Sequence, residues 1–597
     1  MALDPAALDE ALTTVREQLL AQRTSGGHWT GELSSSALST ATAIFALHEL
    51  ARLPTTTSRI PGLDPLIKNG AQWLIAHQNA DGGWGDTIRS ISNISTTVLC
   101  WSALRPFGSQ NAKVMSAAES WIAKRAGSMM SGDIASAVIQ RYGKDKTFSV
   151  PILTMATLAW NWDWSLVPQL PFELAALPHR FWAAIRLPVV SYALPALIAM
   201  GQVRHAKRQT INPLTRIARR ISRRRTLRIL QAIQPESGGF LEATPLTSFV
   251  VMSLVHAQRT PESEAVIQAG ARFLVNSVRE DGSWPIDTNL ATWVSTLTTN
   301  ALHADPEFQL SDNERQRLLD WLLDQQNRVE HPYTHSAPGG WAWTDLSGGV
   351  PDADDTAGAL LALHHLGKDD ERAKLAAEDG VRWLLDLQNN DGGIPTFCRG
   401  WTNLPFDRSG PDLTAHALLA WRAWEAQAAL STAVKIRDAT AKAVKYLENS
   451  QDQRGHWTPL WFGNQATLDD ENPTYGTAKV LLAMHGPAQQ RGLEWLIAAQ
   501  NRDGGWGGAA GMESSIEETA LAITALAANS EKISDAIERG TRWLMDRIQR
   551  GDMTPTPIGF YFAKLWYFEK LYPLIFTTCA LSQVRRLLQN VARAPRP

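Results

Sequence analysis

Three aspartates crowd the start of one segment, "VPDADDTAGALLALHHL", at positions 350 to 366. Pro351 is followed by apolar residues at helical spacing, which predicts a helix with Asp352, Asp354 and Asp355 in its first turn. The ordinary explanation is that acidic side chains suit a helix N-terminus, where they meet free N–H groups and the positive end of the dipole. The alternative is an acid site, because three carboxyl groups this close cannot all ionise cheaply and one would keep its proton.

A repeated motif indicates which elements hold these aspartates in place. The chain has 24 tryptophans against 8 tyrosines, and segments such as "NGAQWLIAHQNADGGWG" (69–85) and "RGLEWLIAAQNRDGGWG" (491–507) recur along it. In each copy an aromatic or apolar residue of the turn lies eleven positions after the first aromatic residue. This pattern predicts a helix that ends in a Gly-rich turn, with the Gln bonded to backbone groups of neighbouring helix ends and the turn tryptophan closing the loop.

The fold class follows from these repeats. Helix–turn units that cannot bury their apolar faces alone must pack on one another, and strand patterns are scarce. We therefore expect an all-α fold of helical hairpins closed into rings, and 597 residues are enough for two large rings. Most of the repeat tryptophans are expected to be scaffold residues.

Composition excludes several classes of protein. A formal net charge of −2 gives no indication of nucleic-acid binding. The three cysteines, Cys100, Cys398 and Cys579, form no disulfide framework and match no zinc-site spacing, which is typical of a reducing cytosol. The first residues, "MALDPAALDE", lack the apolar core of a signal peptide, and no apolar run reaches the length of a membrane span.

The Gln…Trp repeats together with "PDADDT" resemble the squalene–hopene cyclase family of class II terpene cyclases over nearly the whole chain. The resemblance implies two α/α-barrels (α-toroids), with residues 1–24 and 290–597 forming the catalytic barrel and residues 25–289 an inserted second barrel. It implies an enzyme that protonates a linear polyprene and drives carbocationic polycyclisation, with squalene to a hopene-like triterpene as the leading interpretation. It implies no metal and no cofactor.

The resemblance also assigns roles to the acidic residues. Asp354 would be the Brønsted acid that protonates a terminal alkene or epoxide, with Asp352 and Asp355 as the charged neighbours that resist its ionisation. The segment "GPDLTAHALLAW" matches the family segment that places a histidine against the acid. There Asp412 and His416, four residues apart on one helix face, would let Asp412 orient His416 and His416 hydrogen bond to Asp354.

Further residues match the family's proton-return network and its aromatic pocket. Tyr475 in "NPTYGTAKVLL" matches a tyrosine that returns the proton through water, and Cys398 matches a cysteine beside the substrate channel. An alkene is a very weak base and its cation reacts with water, so the pocket must be dry and lined with electron-rich faces. The aromatic residues predicted to bind substrate are Trp293, Trp341, Trp343, Trp401, Trp461, Phe560 and Tyr561.

Departures from the family pattern keep other functions open. The segment "NNDGGIPTFCRGWTNLPFDRSGPDLTAH" skips a family loop and inserts "RGWTNLPFDRS", so a prenyl diphosphate or a prenylated aromatic compound is an alternative substrate. A protein prenyltransferase-like barrel would need an Asp/Cys/His zinc set, which is not evident in the sequence. A non-catalytic lipid-binding barrel is disfavoured because Asp354 and His416 are both present.

An arginine-rich segment leaves three interpretations open. "TRIARRISRRRTLRIL" holds seven arginines between Arg216 and Arg228, which could be a solvated face, a site for anionic lipid headgroups or, less favoured, a diphosphate clamp. The resemblance implies a monotopic protein on one leaflet, at the cytoplasmic face of the membrane, and is compatible with a homodimer. The apolar segments 150–160 and 181–200 are predicted to form the membrane-contacting surface.

Overall fold

The computed structural model describes residues 3–53, 60–143, 145–178, 181, 193–332, 334–397, 406–560 and 563–593. These residues are mostly helical, so the predicted all-α class is confirmed. Five short 3₁₀ helices are described, at Arg105–Gln110, Trp164–Leu166, Phe172–Ala176, Phe240–Glu242 and Leu468–Asp470. The α-helices in this part of the chain are Pro5–Ala21, Ala37–Ala51, Leu63–Ala76, Ile94–Ala103, Ala112–Ala126, Ser131–Tyr142, Lys146–Trp160, Leu194–Lys207, Pro213–Ala232, Thr244–His256, Pro261–Asn276, Ala291–Leu302, Asp312–Asp324, Ala353–Gly367, Glu371–Leu387, Pro411–Trp424, Leu430–Ser450, Pro473–Leu481, Pro487–Ala498, Ile516–Ala528, Asp535–Gln549 and Tyr572–Arg593.

The repeated turns have the hydrogen bonds that the sequence predicts. In the first copy, the Trp84 indole N–H donates to the carbonyl of Leu74 at 2.9 Å, which closes the loop. The Gln78 side-chain amide donates to the carbonyls of Gly82, at 2.8 Å, and of Val114, at 3.0 Å, and so joins its own turn to the helix Ala112–Ala126. Gly82 has φ +91°, and a Cβ there would lie 2.8 Å from a backbone oxygen, so only glycine fits.

Two hydrophobic cores organise the described chain. One core joins the helix Pro5–Ala21 to residues between Ile286 and Leu587, including the helix Tyr572–Arg593, which packs against Pro5–Ala21. The other core is built mainly from residues between Ala37 and Trp284. The boundaries of the two barrels, drawn from the sequence after residues 24 and 289, stay a prediction.

Short strands supplement the helices at two places. Ser35–Ser36 pairs antiparallel with Trp284–Pro285. Three further strands, Phe462–Gly463, Ile558–Phe560 and Leu565–Tyr567, form an antiparallel sheet in that order, with Phe462 opposite Phe560 and Phe560 opposite Leu565. This small sheet brings the C-terminal aromatic segment next to residues that lie about 100 positions earlier in the chain.

The predicted apolar membrane surface is wrong for residues 150–160. These residues belong to the helix Lys146–Trp160, and Ile152, Leu153 and Met155 are buried in the second core because neighbouring helices cover them. Residues 182–192 lie outside the described residues, and Ile198 and Met200 beyond them are buried. Within the described part of the chain, every helix is too short or too polar to cross a membrane.

Candidate active site

A cavity of about 290 Å³ lies between the two cores. Leu38, Leu99 and Phe249 of the second core contribute to its wall, facing Trp293 and Leu413 of the first core. The cavity is therefore mainly apolar, and the carboxyl groups in its lining stand out chemically. They belong to Asp287, Asp352, Asp354 and Asp355.

The aspartate triplet begins the helix Ala353–Gly367, as the sequence predicts. Asp352 is the N-cap residue, and its Oδ1 accepts hydrogen bonds from the backbone N–H groups of Asp354 and Asp355, both at 2.9 Å. The capping explanation therefore applies to Asp352. Because Asp352 forms both capping bonds, the side chains of Asp354 and Asp355 are not needed to cap the helix.

Asp352 and Asp355 are buried together, each 5% exposed, and their protonation is linked. Burial raises the pKa of both carboxyl groups, and the nearby charge of Asp354 raises it further. The backbone N–H groups that Asp352 caps oppose this effect at Asp352, whereas the charge of Asp352 adds to it at Asp355. Asp355 is therefore the weaker acid of the two, and Asp352 is the one that ionises more readily.

Asp354 is the member of the triplet that contacts a base. Its Oδ1 lies 2.5 Å from Nδ1 of His416, and the two side chains are 19% and 10% exposed. His416 lies on the helix Pro411–Trp424, which packs against the helix Ala353–Gly367. The predicted pairing of Asp354 with His416 is thus present, across 62 positions of sequence.

Asp412 and Tyr475 lie near this pair without forming the predicted chain of contacts. Asp412 Oδ1 accepts a hydrogen bond from the Leu460 N–H at 3.0 Å, and no hydrogen bond joins Asp412 to His416 in the described structure. Burial, followed by the charge of Asp354, raises the pKa of Asp412 to about 7. Tyr475 is 2% exposed, and burial together with the charges of Asp354 and Asp412 raises its pKa well above the ordinary value. The charge of Asp354 thus disfavours the ionised forms of both residues.

Trp293 connects the acid to a group of tyrosines that the sequence analysis did not identify. Its ring meets the His416 ring edge-on at 6.3 Å, and its indole N–H donates to the Tyr572 hydroxyl at 2.9 Å. The Tyr567 hydroxyl lies 3.2 Å from that of Tyr572, and Tyr567 lines the cavity. The segment "LWYFEKLYP" is rich in aromatic residues, which could have indicated these tyrosines. The spacing of its aromatic residues does not show which of them face the cavity.

Trp343 and Trp461 also line the cavity, as predicted. The Trp461 indole N–H donates to the Thr396 hydroxyl at 2.6 Å, and its ring packs edge-on against Phe397 at 5.8 Å. Trp343 meets the same Phe397 ring at 6.3 Å. These rings form an aromatic wall to which Phe406 and Phe462, also not predicted, contribute.

Trp341 does not line the cavity, so its predicted contact with substrate is not formed. It is fully buried, and its indole N–H donates to the carbonyl of Leu322 at 2.9 Å, as in the repeat tryptophans. Cys398, Trp401 and Tyr561 lie outside the described residues. Phe560 is described only through its backbone, which pairs with Phe462.

Comparison with known proteins identifies the family. The chain matches the models of the squalene-hopene cyclase C-terminal domain over residues 290–586 and of the squalene-hopene cyclase N-terminal domain over residues 12–218. It therefore belongs to the squalene–hopene cyclase family. An all-α chain of this family, with an aspartate triplet facing an aromatic cavity, is a class II terpene cyclase.

Individual relatives are distant. The chain is 25% identical over 682 residues to a probable squalene–hopene cyclase of Sinorhizobium fredii, covering 98% of both chains. It is 27% identical over 640 residues to enfumafungin synthase of Hormonema carpetanum, covering 90% of this chain and 45% of that protein, so it spans about half of that relative's length. Its fold is similar to that of ent-copalyl diphosphate synthase from Streptomyces platensis, with a TM-score of 0.53, 16% identity and coverage of 97% and 99%.

Proposed function

We propose that this enzyme protonates the terminal alkene of a linear polyprene, with squalene as the reference substrate, and guides the cation to a hopene-like polycyclic product. The observation that carries the proposal is the Asp354–His416 pair, 2.5 Å apart, at the wall of a cavity that is otherwise largely apolar and aromatic. A strong acid and a dry, electron-rich pocket are the two requirements of this chemistry.

Asp354 supplies the proton in this proposal. The His416 ring donates its Nδ1–H to Oδ1 of Asp354 in this proposal, so that Oδ2 carries the proton that is transferred. The proton passes from Oδ2 to the alkene, and the same hydrogen bond stabilises the carboxylate that forms. Asp352 holds the start of the helix in place by capping it, so that the position of Asp354 is fixed before the substrate arrives.

The aromatic wall stabilises the cation as it moves along the chain. The rings of Trp293, Trp343 and Trp461 line the cavity together with Phe462 and Tyr567. An aromatic face attracts a nearby cation by about 0.5–2 kcal/mol, with the larger value in a desolvated site. The same rings exclude water, which would otherwise capture the cation before cyclisation is complete.

Gas chromatography with mass spectrometry of lipids formed from squalene by the purified protein tests this proposal. We expect cyclic isomers of squalene from the wild type and none from Asp354→Asn. Asp369→Asn is the matched control, because Asp369 is exposed just beyond the other end of the same helix, and it should retain activity. Equal product from Asp354→Asn and the wild type would contradict the assignment of the acid.

We also propose that the helix Pro213–Ala232 attaches the enzyme to the cytoplasmic face of a membrane as a monotopic protein. Leu214, Ile217 and Ile221 are 75%, 56% and 76% exposed and lie on one face of this helix, three and four residues apart. Exposed arginines flank this apolar stripe, whereas Arg219 is buried and pairs with Glu173 at 2.9 Å. An exposed apolar stripe with cationic flanks suits the interface of an anionic leaflet.

Vesicle sedimentation tests the membrane contact. Binding should be stronger to vesicles with phosphatidylserine than to pure phosphatidylcholine, and Ile221→Asp should weaken it. Leu430→Asp, at an equally exposed leucine of another helix (81%), is the control and should bind as the wild type does. Equal loss in both variants would contradict a role for this helix.

The homodimer stays a prediction, which light scattering of the purified protein would test.

A further inference from the structure

A second pair of acidic residues lies in the cavity wall, apart from the aspartate triplet. Asp287 lines the cavity, and Glu242 lies behind it on the segment 240–242, whose Leu241 also lines the cavity. Ala243 pairs with Asp287 as an isolated antiparallel bridge, and the Thr288 N–H donates to the Glu242 carbonyl at 3.2 Å. These backbone contacts hold the two carboxyl groups close together.

Glu242 Oε1 has hydrogen-bond partners in the protein, whereas Asp287 Oδ1 has none among the described residues. Oε1 of Glu242 accepts hydrogen bonds from the Ser237 hydroxyl at 2.6 Å and from the Gly348 N–H at 2.8 Å. Asp287 Oδ1 is shielded from solvent and has no hydrogen-bond partner among the described residues. The same holds in this part of the chain for the indole N–H of Trp343, which lies near enough to Asp287 to lower its pKa.

An unsatisfied carboxyl oxygen and an unsatisfied indole N–H in one cavity wall indicate a missing polar group. Buried polar atoms of native proteins nearly always have partners, and leaving them without one is costly. A substrate oxygen beside both groups would accept a hydrogen bond from the indole and exchange one with the carboxyl group. A purely hydrocarbon substrate would supply neither bond.

The charges in the wall restrict what this polar group can be. Burial and the neighbouring charge of Glu242 raise the pKa of Asp287 well above its ordinary value, so the carboxyl group holds its proton. A protonated carboxyl group can donate and accept a hydrogen bond at once, which matches a hydroxyl group. An anionic head group such as a diphosphate finds no cationic side chain in the cavity lining that the structure describes.

We propose that Asp287, backed by Glu242, is a specificity-determining residue that binds a hydroxyl group of the substrate, so that the enzyme prefers polyprene alcohols to polyprene hydrocarbons. This inference rests on the proposed cyclase function and narrows its substrate class. Asp287 recognises the substrate and takes no part in the proton transfer from Asp354.

The test compares alcohols with the same chains lacking the hydroxyl group. Polyprene alcohols with 15, 20 and 30 carbons are paired with their deoxy counterparts, because the distance from the acid to Asp287 along the bound chain decides which length reaches it. We expect kcat/KM for the alcohol to exceed that of its counterpart by about tenfold or more for at least one length, since a site built to bond a hydroxyl rejects its absence. In Asp287→Leu this preference should disappear while the hydrocarbon is still cyclised.

Two controls make the outcome decisive. Asp345→Asn changes an exposed acid near Glu242 that does not line the cavity, and it should keep the preference for the alcohol. The comparison within the wild type needs no variant, so it decides the question even if Asp287→Leu fails to fold. Equal kcat/KM for alcohol and hydrocarbon at every length would overturn the inference, as would a preference that survives in Asp287→Leu.

Failure of this inference is distinguishable from failure of the cyclase proposal. If the wild type cyclises hydrocarbons and alcohols equally well, only the role of Asp287 is wrong. If it cyclises neither squalene nor any of the alcohols, the proposed function itself is wrong. If Asp287→Leu changes only the hydration of the product, with no change in substrate preference, Asp287 binds water and the inference fails.

Discussion

Trp341 and Trp343 are two positions apart in the sequence, but the structure predicts opposite consequences for their removal. Trp343 lines the cavity and its indole N–H has no partner among the described residues. Trp341 is fully buried in the first core and donates to the carbonyl of Leu322. The two alanine variants therefore serve as controls for each other.

The change Trp343→Ala should alter the product. Loss of a cation–aromatic interaction raises the free energy of the nearby carbocation by about 0.5–2 kcal/mol. Because each 1.36 kcal/mol changes a rate about tenfold, the affected ring closure should slow by about 2- to 30-fold. Deprotonation at an earlier ring then competes, and incompletely cyclised products should increase by about the same factor relative to the full product.

The change Trp341→Ala should alter stability. Truncation of a buried tryptophan to alanine typically costs about 3–5 kcal/mol, because the closed space that remains cannot collapse fully. The space left at Trp343 opens into the existing cavity, so its truncation should cost less. Trp341→Ala should thus lower the yield and melting temperature of the protein with no new product.

Gas chromatography of the products and thermal unfolding by circular dichroism, both on folded protein, separate the two effects. An unchanged product profile for Trp343→Ala, with only a lower melting temperature, would refute its role at the cation. New products from a normally stable Trp341→Ala would refute the placement of Trp341 in the scaffold.

Three further predictions concern the acid, metal ions and pH. Asp354→Asn should fold and lose turnover by the factor of about 10²–10⁴ typical of general acid catalysis or more, because Asp354 is the cavity carboxyl group that contacts His416; appreciable cyclisation would contradict it. EDTA should leave the turnover of squalene unchanged, because protonation initiates the reaction, and a strict requirement for Mg²⁺ would point to a diphosphate substrate. The native state holds a proton on Asp412 up to about pH 7, whereas the unfolded chain releases it near 3.8, so the free energy of unfolding should fall as pH rises between these values. Urea denaturation across this range should show a shallower dependence in Asp412→Asn, and an identical slope would count against the raised pKa.

Local features of this protein are determined by the sequence itself. The Trp84 indole bonds to a carbonyl ten residues earlier, and Gln78 to a carbonyl four residues later. Asp352 caps a helix that begins at the next residue. Such contacts need only the helix–turn geometry of one short segment, which is why the repeats, the all-α class and the start of the acidic helix could be predicted.

The contacts between residues of the active site depend on which faces of different helices pack together. Only the tertiary structure determines these contacts. The pairing of Asp354 with His416 was expected from a family resemblance, but its 2.5 Å contact and the separation of Asp412 from His416 depend on how two helices pack. Trp341 and Trp343 are only two positions apart in the sequence. Packing buries Trp341 in the first core, whereas Trp343 lines the cavity. Asp287 and Glu242 lie 45 positions apart on two short irregular segments. Sequence periodicity therefore could not predict that they are neighbours. Sequence periodicity specifies which residues share a face of one element, and only the packing of the two cores specifies what that face meets.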